Sequence, residues 1–282
     1  MPRAWILSFC IAALSVQADQ RPVLSLVIDD LGHSLQRGKA AIQLDGDHTY
    51  AILPGTRHTR QLAQLAHRHN KEVILHLPMQ SIGAASQHEP HALDESMSED
   101  QLATKVQSLL AQVPFIRGVN NHMGSYLTEL DFFMQPVMDS IRAYNPELYF
   151  LDSRTSAHSI AHAEALNAGL QSISRDVFLD NESNIESIQL QYQIWLDKAR
   201  KHGSAIAIGH PHKNTLRVLR QNLSATTQFR FMHLSELINM RRQQFRSLES
   251  ANQISDLWVS DTNQDSINRQ GSQGRWLKSA QF

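Results

Sequence analysis

The sequence predicts an α/β fold: a parallel sheet covered by helices and curled into a distorted (β/α) barrel of seven or eight strands. Three observations predict it. Short apolar runs alternate with longer amphipathic ones along most of the chain. The short runs are apolar at successive positions, as strands buried on both faces are. The 282 residues, 41% of them hydrophobic, are enough for one sizeable core. Seven or eight repeats favour a closed or nearly closed barrel, and an open doubly wound sheet is the alternative.

The chain starts MPRAWILSFCIAALSVQADQRP. Arg3 precedes an apolar run from Ala4 to Val16, and Val16-Gln17-Ala18 has the small-residue pattern of a cleavage site. This reads as a secretory signal over 1–18, too short for an ordinary membrane span, with an uncleaved anchor as the alternative. Cys10, the single cysteine, falls inside it, so the mature chain has no disulfide and relies on packing. A domain over 19–240 follows. Its strands are expected at 23–28, 49–53, 72–77, 116–120, 148–151, 171–174, 205–208 and 230–232. Its helices are expected at 35–44, 59–70, 98–112, 130–144, 159–168, 185–202 and 216–221. Ser98 is the expected N-cap of a helix whose apolar stripe is Leu102, Val106, Leu109 and Leu110. Gln80 to Glu95 is polar and is expected to form a long loop over one end of the sheet. From Arg241 to Phe282 the chain is rich in Gln, Ser, Asn and Arg and reads as a flexible tail.

Polar residues cluster where the strands end. Asp29 and Asp30 close "VLSLVIDD", His76 follows "KEVIL", and Asn120, Asn121 and His122 follow "RGV". Asp152 closes "LYFLD" and leads into Ser153-Arg154, and His210 follows "SAIAIG". In a parallel barrel the C-terminal strand ends share one crevice, so five distant segments converge there. Two adjacent carboxylates demand nearby positive charge or a shared proton, and a divalent cation supplies that charge. Asp30 and His76 form a candidate ligand pair. Mixed oxygen and nitrogen donors favour zinc or another first-row metal over magnesium or calcium. A free aspartate and a histidine around such an ion suit amide or ester hydrolysis. His212 competes for any role given to His210, and the asparagines suit either turn formation or substrate contact. Asp176, in "SRDVFLDNESN", could reach the rim, although a plugging loop explains that segment equally. The formal charge of -1 gives no polybasic surface for nucleic acid, and no glycine-rich nucleotide loop or GxSxG elbow is present.

Together "LSLVIDDLG", "KEVILHLPMQ", "GVNNHMGS", "FLDSRTS", "RDVFLDN" and "AIAIGHPH" resemble the divergent polysaccharide deacetylase family, over 23–238. The resemblance implies a bacterial envelope protein, periplasmic or secreted, with no membrane span after signal cleavage. It implies a metal-dependent hydrolase that removes acetyl groups from an N-acetylated, peptidoglycan-type polysaccharide. Asp29 matches the catalytic base, Asp30 the metal aspartate, His76 the first metal histidine and His210 the catalytic acid. Asp152 falls near an acidic support position. The second histidine position holds Gln80, so either His122 completes the metal shell or the site binds metal weakly. Asn120, Asn121, Arg154 and Gln80 become the expected substrate contacts. The alternative is a noncatalytic glycan-binding or envelope-assembly protein on a degenerate barrel.

Overall fold

The computed structural model describes residues 19–83, 89 and 91–247. The expected signal and residues 248–282 of the expected tail lie outside the described residues. Among the described residues nine parallel strands form one sheet, with helices in most of the connections between them. The strands are β1 (Val23–Leu31), β2 (Thr49–Ile52), β3 (Glu72–Met79), β4 (Ile116–Met123), β5 (Tyr149–Asp152), β6 (Gln171–Ser174), β7 (Val177–Phe178), β8 (Ser204–Gly209) and β9 (Arg230–Phe231). The helices are α1 (Leu35–Ile42), α2 (Thr59–Arg68), α3 (Glu99–Leu110), α4 (Asp131–Tyr144), α5 (Ala161–Asn167), α6 (Ile185–His202) and α7 (Lys213–Asn222). Ser98 caps α3 as expected, in a reciprocal box with Gln101.

The sheet runs β6-β5-β4-β3-β2-β1-β8-β7, and β9 pairs with the start of β1. The path is a curled, nearly closed barrel. The two-residue link between β6 and β7 spans its remaining gap: Arg175 N bonds to Asp152 O on β5, and Asp176 N to Ile206 O on β8. Strand β7 is not among the expected strands; in the sequence its residues read as the apolar centre of a plugging loop.

Side-chain alternation divides the core into two layers. Leu24, Leu26 and Ile28 of β1 pack outward with Leu75 and Leu77 of β3 under the helices. Val23 and Val27 point inward with Ala51, Ile74, Tyr149, Leu151, Ile206 and Ile208. Leu234, Leu237 and Ile238 complete this inner layer from a helical segment over 234–247, which plugs the N-terminal end of the barrel. The segment runs through the domain boundary expected at 240.

Glu72 fixes that plug. Its buried carboxylate accepts from Thr49 Oγ1 at 3.0 Å, Tyr149 Oη at 2.7 Å and Ser235 N at 3.2 Å, and from the Ser235 hydroxyl. An acceptor at the first turn of a helix also meets its free N–H groups. Glu72→Ala leaves several buried donors without a partner. It is expected to destabilise the fold by about 2–4 kcal/mol, read in urea titrations.

Candidate metal centre and active site

Inward alternation on β1 passes through Val23, Ser25 and Val27 to Asp29. An ordinary next residue would face the helices. Instead Asp30 takes a left-handed φ of 58°, and the β1–β2 register shifts between Ile28 and Leu31. This irregularity brings the second acid to the same mouth as the first. On β3 the inward set is Glu72, Ile74 and His76; on β4 it is Gly118, Asn120 and His122. His210 continues the inward set of β8. A cavity of about 360 Å³ at this rim is lined by Asp29, Asp30, His76, His122, His210 and Arg154, among others.

Three donors form a nearly equilateral triangle. His122 Nδ1 is 3.0 Å from Asp30 Oδ1 and 3.1 Å from His76 Nε2, and His76 Nε2 is 3.1 Å from the same oxygen. A tetrahedral zinc site with bonds of about 2.0–2.1 Å has edges of about 3.4 Å, slightly wider than this triangle. The donor set of one carboxylate and two imidazoles fits zinc or another first-row divalent ion. The next layer of contacts suits it as well. Asn120 Nδ2 donates to Asp29 Oδ1 at 3.0 Å and to Ser153 Oγ at 3.1 Å, which turns Asn120 Oδ1 toward His76 Nδ1 at 2.8 Å. His76 therefore carries its proton on Nδ1 and presents a bare Nε2 to the triangle. Glu89 Oε2 lies 3.6 Å from the outer nitrogen of His122.

A second His/Asp cluster adjoins the first: Asp180, His210 and His212 also bring ligand atoms within 4.8 Å of one another. Asp180 is heavily engaged within the protein. Its Oδ1 accepts from His210 Nδ1 at 2.9 Å, and its Oδ2 accepts from His210 N at 2.8 Å and Thr215 Oγ1 at 2.6 Å. His210 Nε2 is left facing the cavity, 3.7 Å from Asp30 Oδ2.

The charges respond to these contacts. Burial pushes the Asp29 carboxyl up, against the pull of His76 and His210. Burial opposes ionisation of Asp30 too, but bonds from His122 and His76 outweigh it and hold that carboxyl well below the usual range. Burial would lower His122 and His210. Instead Asp30 and Glu89 lift His122 to about 9, and Asp180, with Asp30, lifts His210 to about 9. The two acids thus draw positive charge from every side.

Several expected site residues are placed elsewhere. Asp152 is fully buried and does not reach the cavity: its oxygens accept from Arg154 N at 2.7 Å and Ser159 Oγ at 2.9 Å. The acid that supports His210 is Asp180. Asn120 is also fully buried, outside the cavity lining, with its side chain bonded to Asp29, Ser153 and His76. Asn121 lines the cavity, but its side chain ties Met123 O, Thr155 Oγ1 and Ser153 N into one turn. Gln80 pairs with Glu95, accepting its N–H at 2.9 Å. Asp176 accepts from Ile206 N and meets Arg241, away from the histidines. Gly124 packs on Met79 at the turn after β4, where a Cβ would come within 3.0 Å of the Met79 Cβ.

A family model described as divergent polysaccharide deacetylase matches residues 26–238. The uncharacterized protein YibQ of Escherichia coli (strain K12) is 40% identical over 198 residues, which cover 70% of this chain and 61% of that protein. An uncharacterized protein of Haemophilus influenzae is 36% identical over 200 residues, covering 71% of this chain and 70% of that one. The chain thus spans about three fifths of the length of the E. coli relative. Among solved structures, the uncharacterized protein ATU2773 from Agrobacterium tumefaciens superposes with a TM-score of 0.73 at 21% identity, over 78% of this chain and 90% of that one. The lactam utilization protein from Thermus thermophilus superposes with a TM-score of 0.53 at 14% identity, over 76% and 99%. At these identities the two structures speak for the curled parallel fold alone. Among the described residues, no helix is long and apolar enough to cross a membrane.

Proposed function

The chain belongs to the divergent polysaccharide deacetylase family, and on that premise we propose that it is a zinc-dependent hydrolase removing acetyl groups from an N-acetylated, peptidoglycan-type envelope polysaccharide. The observation that carries this reading is the meeting of Asp29, Asp30, His76, His122 and His210 at one cavity. Asp30, His76 and His122 would hold the ion. When bound, it supplies Lewis acidity, polarising the acetamido carbonyl and acidifying water. Asp29, kept in place by Asn120, takes the proton of the attacking water on its carboxylate. His210, charged and oriented by Asp180, gives the proton on Nε2 to the departing amine, so acetate and the free amino sugar leave together. The triad also answers the departure at Gln80, because His122 supplies a second imidazole from β4. That favours the enzyme over a glycan-binding protein on a degenerate barrel. The working unit in this proposal is the domain at 19–240, acting in the periplasm or after secretion once the signal over 1–18 is removed.

The test begins with the metal content of the purified domain. One equivalent of zinc is expected in the parent, with most of it lost in Asp30→Ala and in His76→Ala. Acetate release from peptidoglycan or chitin fragments should follow the metal. Glycan binding with no acetate release in the presence of excess zinc would replace the enzyme with the noncatalytic alternative. Full zinc retention in both variants would remove the triad.

A further inference from the structure

Two arginines face the cavity without a part in the chemistry just described. Arg154 and Arg175 both line it. Arg154 has a left-handed φ of 49°, an uncommon and costly conformation for a residue with a Cβ. Much of the surrounding structure holds it there. Asp152 Oδ1 accepts from Arg154 N at 2.7 Å, Arg175 Nη2 donates to Arg154 O at 3.0 Å, and Arg175 Nε donates to Ser153 O at 2.7 Å. The buried Asp152 thus anchors the turn that presents Arg154. Yet the guanidinium at the end of this turn makes one hydrogen bond among the described residues, to Ala157 O at the long distance of 3.5 Å. Arg175 spends two donors on backbone carbonyls and covers Phe178, its carbon centre 4.9 Å from the ring. Asp29 and Asp30 are taken up by Asn120 and the histidines. A divalent cation would balance those two acids, and among the described residues the Arg154 guanidinium at the mouth makes no ion pair.

We infer that the substrate carries an oxyanion on the reacting sugar or its neighbour, and that Arg154 recognises it. This rests on the hydrolase reading of the same site and narrows its substrate class to acidic N-acetyl sugars, bearing a carboxylate or a phosphate. The cavity is at the small end of ligand pockets, which keeps the anion within a sugar residue of the acetamido group. A planar fork beside a positive site suits a bidentate oxyanion.

Calorimetric titration of the zinc-loaded full chain tests this with three matched sugars: N-acetylglucosamine, N-acetylmuramic acid and N-acetylglucosamine 6-phosphate. At least one anionic sugar is expected to bind about tenfold or more tightly than the neutral one. The difference should shrink at high salt and vanish in Arg154→Gln. The better of the two anionic sugars identifies the source of the oxyanion. Equal affinities, no binding of any of the three, or a preference that survives in Arg154→Gln would overturn the inference. Acetate release separates the two layers. An Arg154-dependent preference without turnover keeps the anion site and removes the hydrolase. Turnover of neutral and acidic sugars alike, insensitive to Arg154→Gln, keeps the hydrolase and removes the anion site.

Discussion

Asp29→Asn is expected to lower kcat for acetate release by about 10²–10⁴-fold while leaving zinc bound at one equivalent. The side chain is 3% exposed and lies behind the metal triangle, 3.7 Å from His76 Nε2. The substitution preserves shape and an oxygen to accept from Asn120 Nδ2, so the position of His76 should survive. What is lost is the capacity to take a proton. Burial already disfavours the Asp29 charge. Removing that charge should therefore cost little stability, and the folded fraction can be compared directly with the parent. KM should change far less than kcat, because the lost interaction is made as the water attacks. Metal analysis beside steady-state kinetics checks this. Activity within tenfold of the parent, with metal retained, would show that another group takes the proton. The contrast with Asp30→Ala matters: there activity and metal should disappear together, whereas here they separate.

The fold is legible in the sequence because helix periodicity is robust and buried parallel strands are recognisable by composition. The rim is legible because polar residues at the ends of such strands have little other reason to be there. Asp29, His76, His122 and His210 all meet as the strand pattern suggests. Facing direction is not legible. In "LYFLD" nearly every position is apolar, because both faces of the strand are buried, so no alternation shows which way Asp152 turns. The structure has Tyr149 and Leu151 inward, which sends Phe150 and Asp152 outward. The same ambiguity hides Asn120, which reads as a substrate contact and is in fact enclosed between Asp29, His76 and Ser153. Asp180 escapes sequence reasoning for a different reason. It follows a two-residue strand, too short to show any period, and its partner His210 is 30 residues away. Asp30 reaches the site only through a local irregularity of β1 that no pattern announces. The helical segment over 234–247 does leave a signal: Leu234, Leu237 and Ile238 have the i, i+3, i+4 spacing of a buried helical face, just before the polar composition takes over.

Asp180→Asn carries the second large effect, and its sign can be worked out from the contacts. His210 must be the doubly protonated imidazolium to give its Nε2 proton to the amine, because a neutral ring with its proton on Nε2 is far too weak an acid. Against burial, the Asp180 bond and then the charge of Asp30 lift His210 to about 9, so the imidazolium is present through neutral pH and the alkaline limb of kcat should lie above the ordinary histidine value. In the variant, the fixed backbone N–H of His210, 2.8 Å from Oδ2, selects the amide oxygen for that place. The amide nitrogen is then left opposite His210 Nδ1, where the parent has Oδ1 at 2.9 Å. A donor facing Nδ1 excludes a proton there, and the doubly protonated imidazolium loses both its hydrogen bond and its countercharge. The alkaline limb should therefore move down, below the ordinary histidine value of 6.5 if burial then dominates. At pH 8 the expected loss in kcat is about 10²–10³-fold, shrinking as the pH falls. Zinc content should be unchanged, since Asp30, His76 and His122 are untouched. A pH profile of kcat from about 5 to 10 decides the matter. A limb at the same pH in Asp180→Asn as in the parent would mean that the amine receives its proton from a group other than His210, whatever the overall loss in rate.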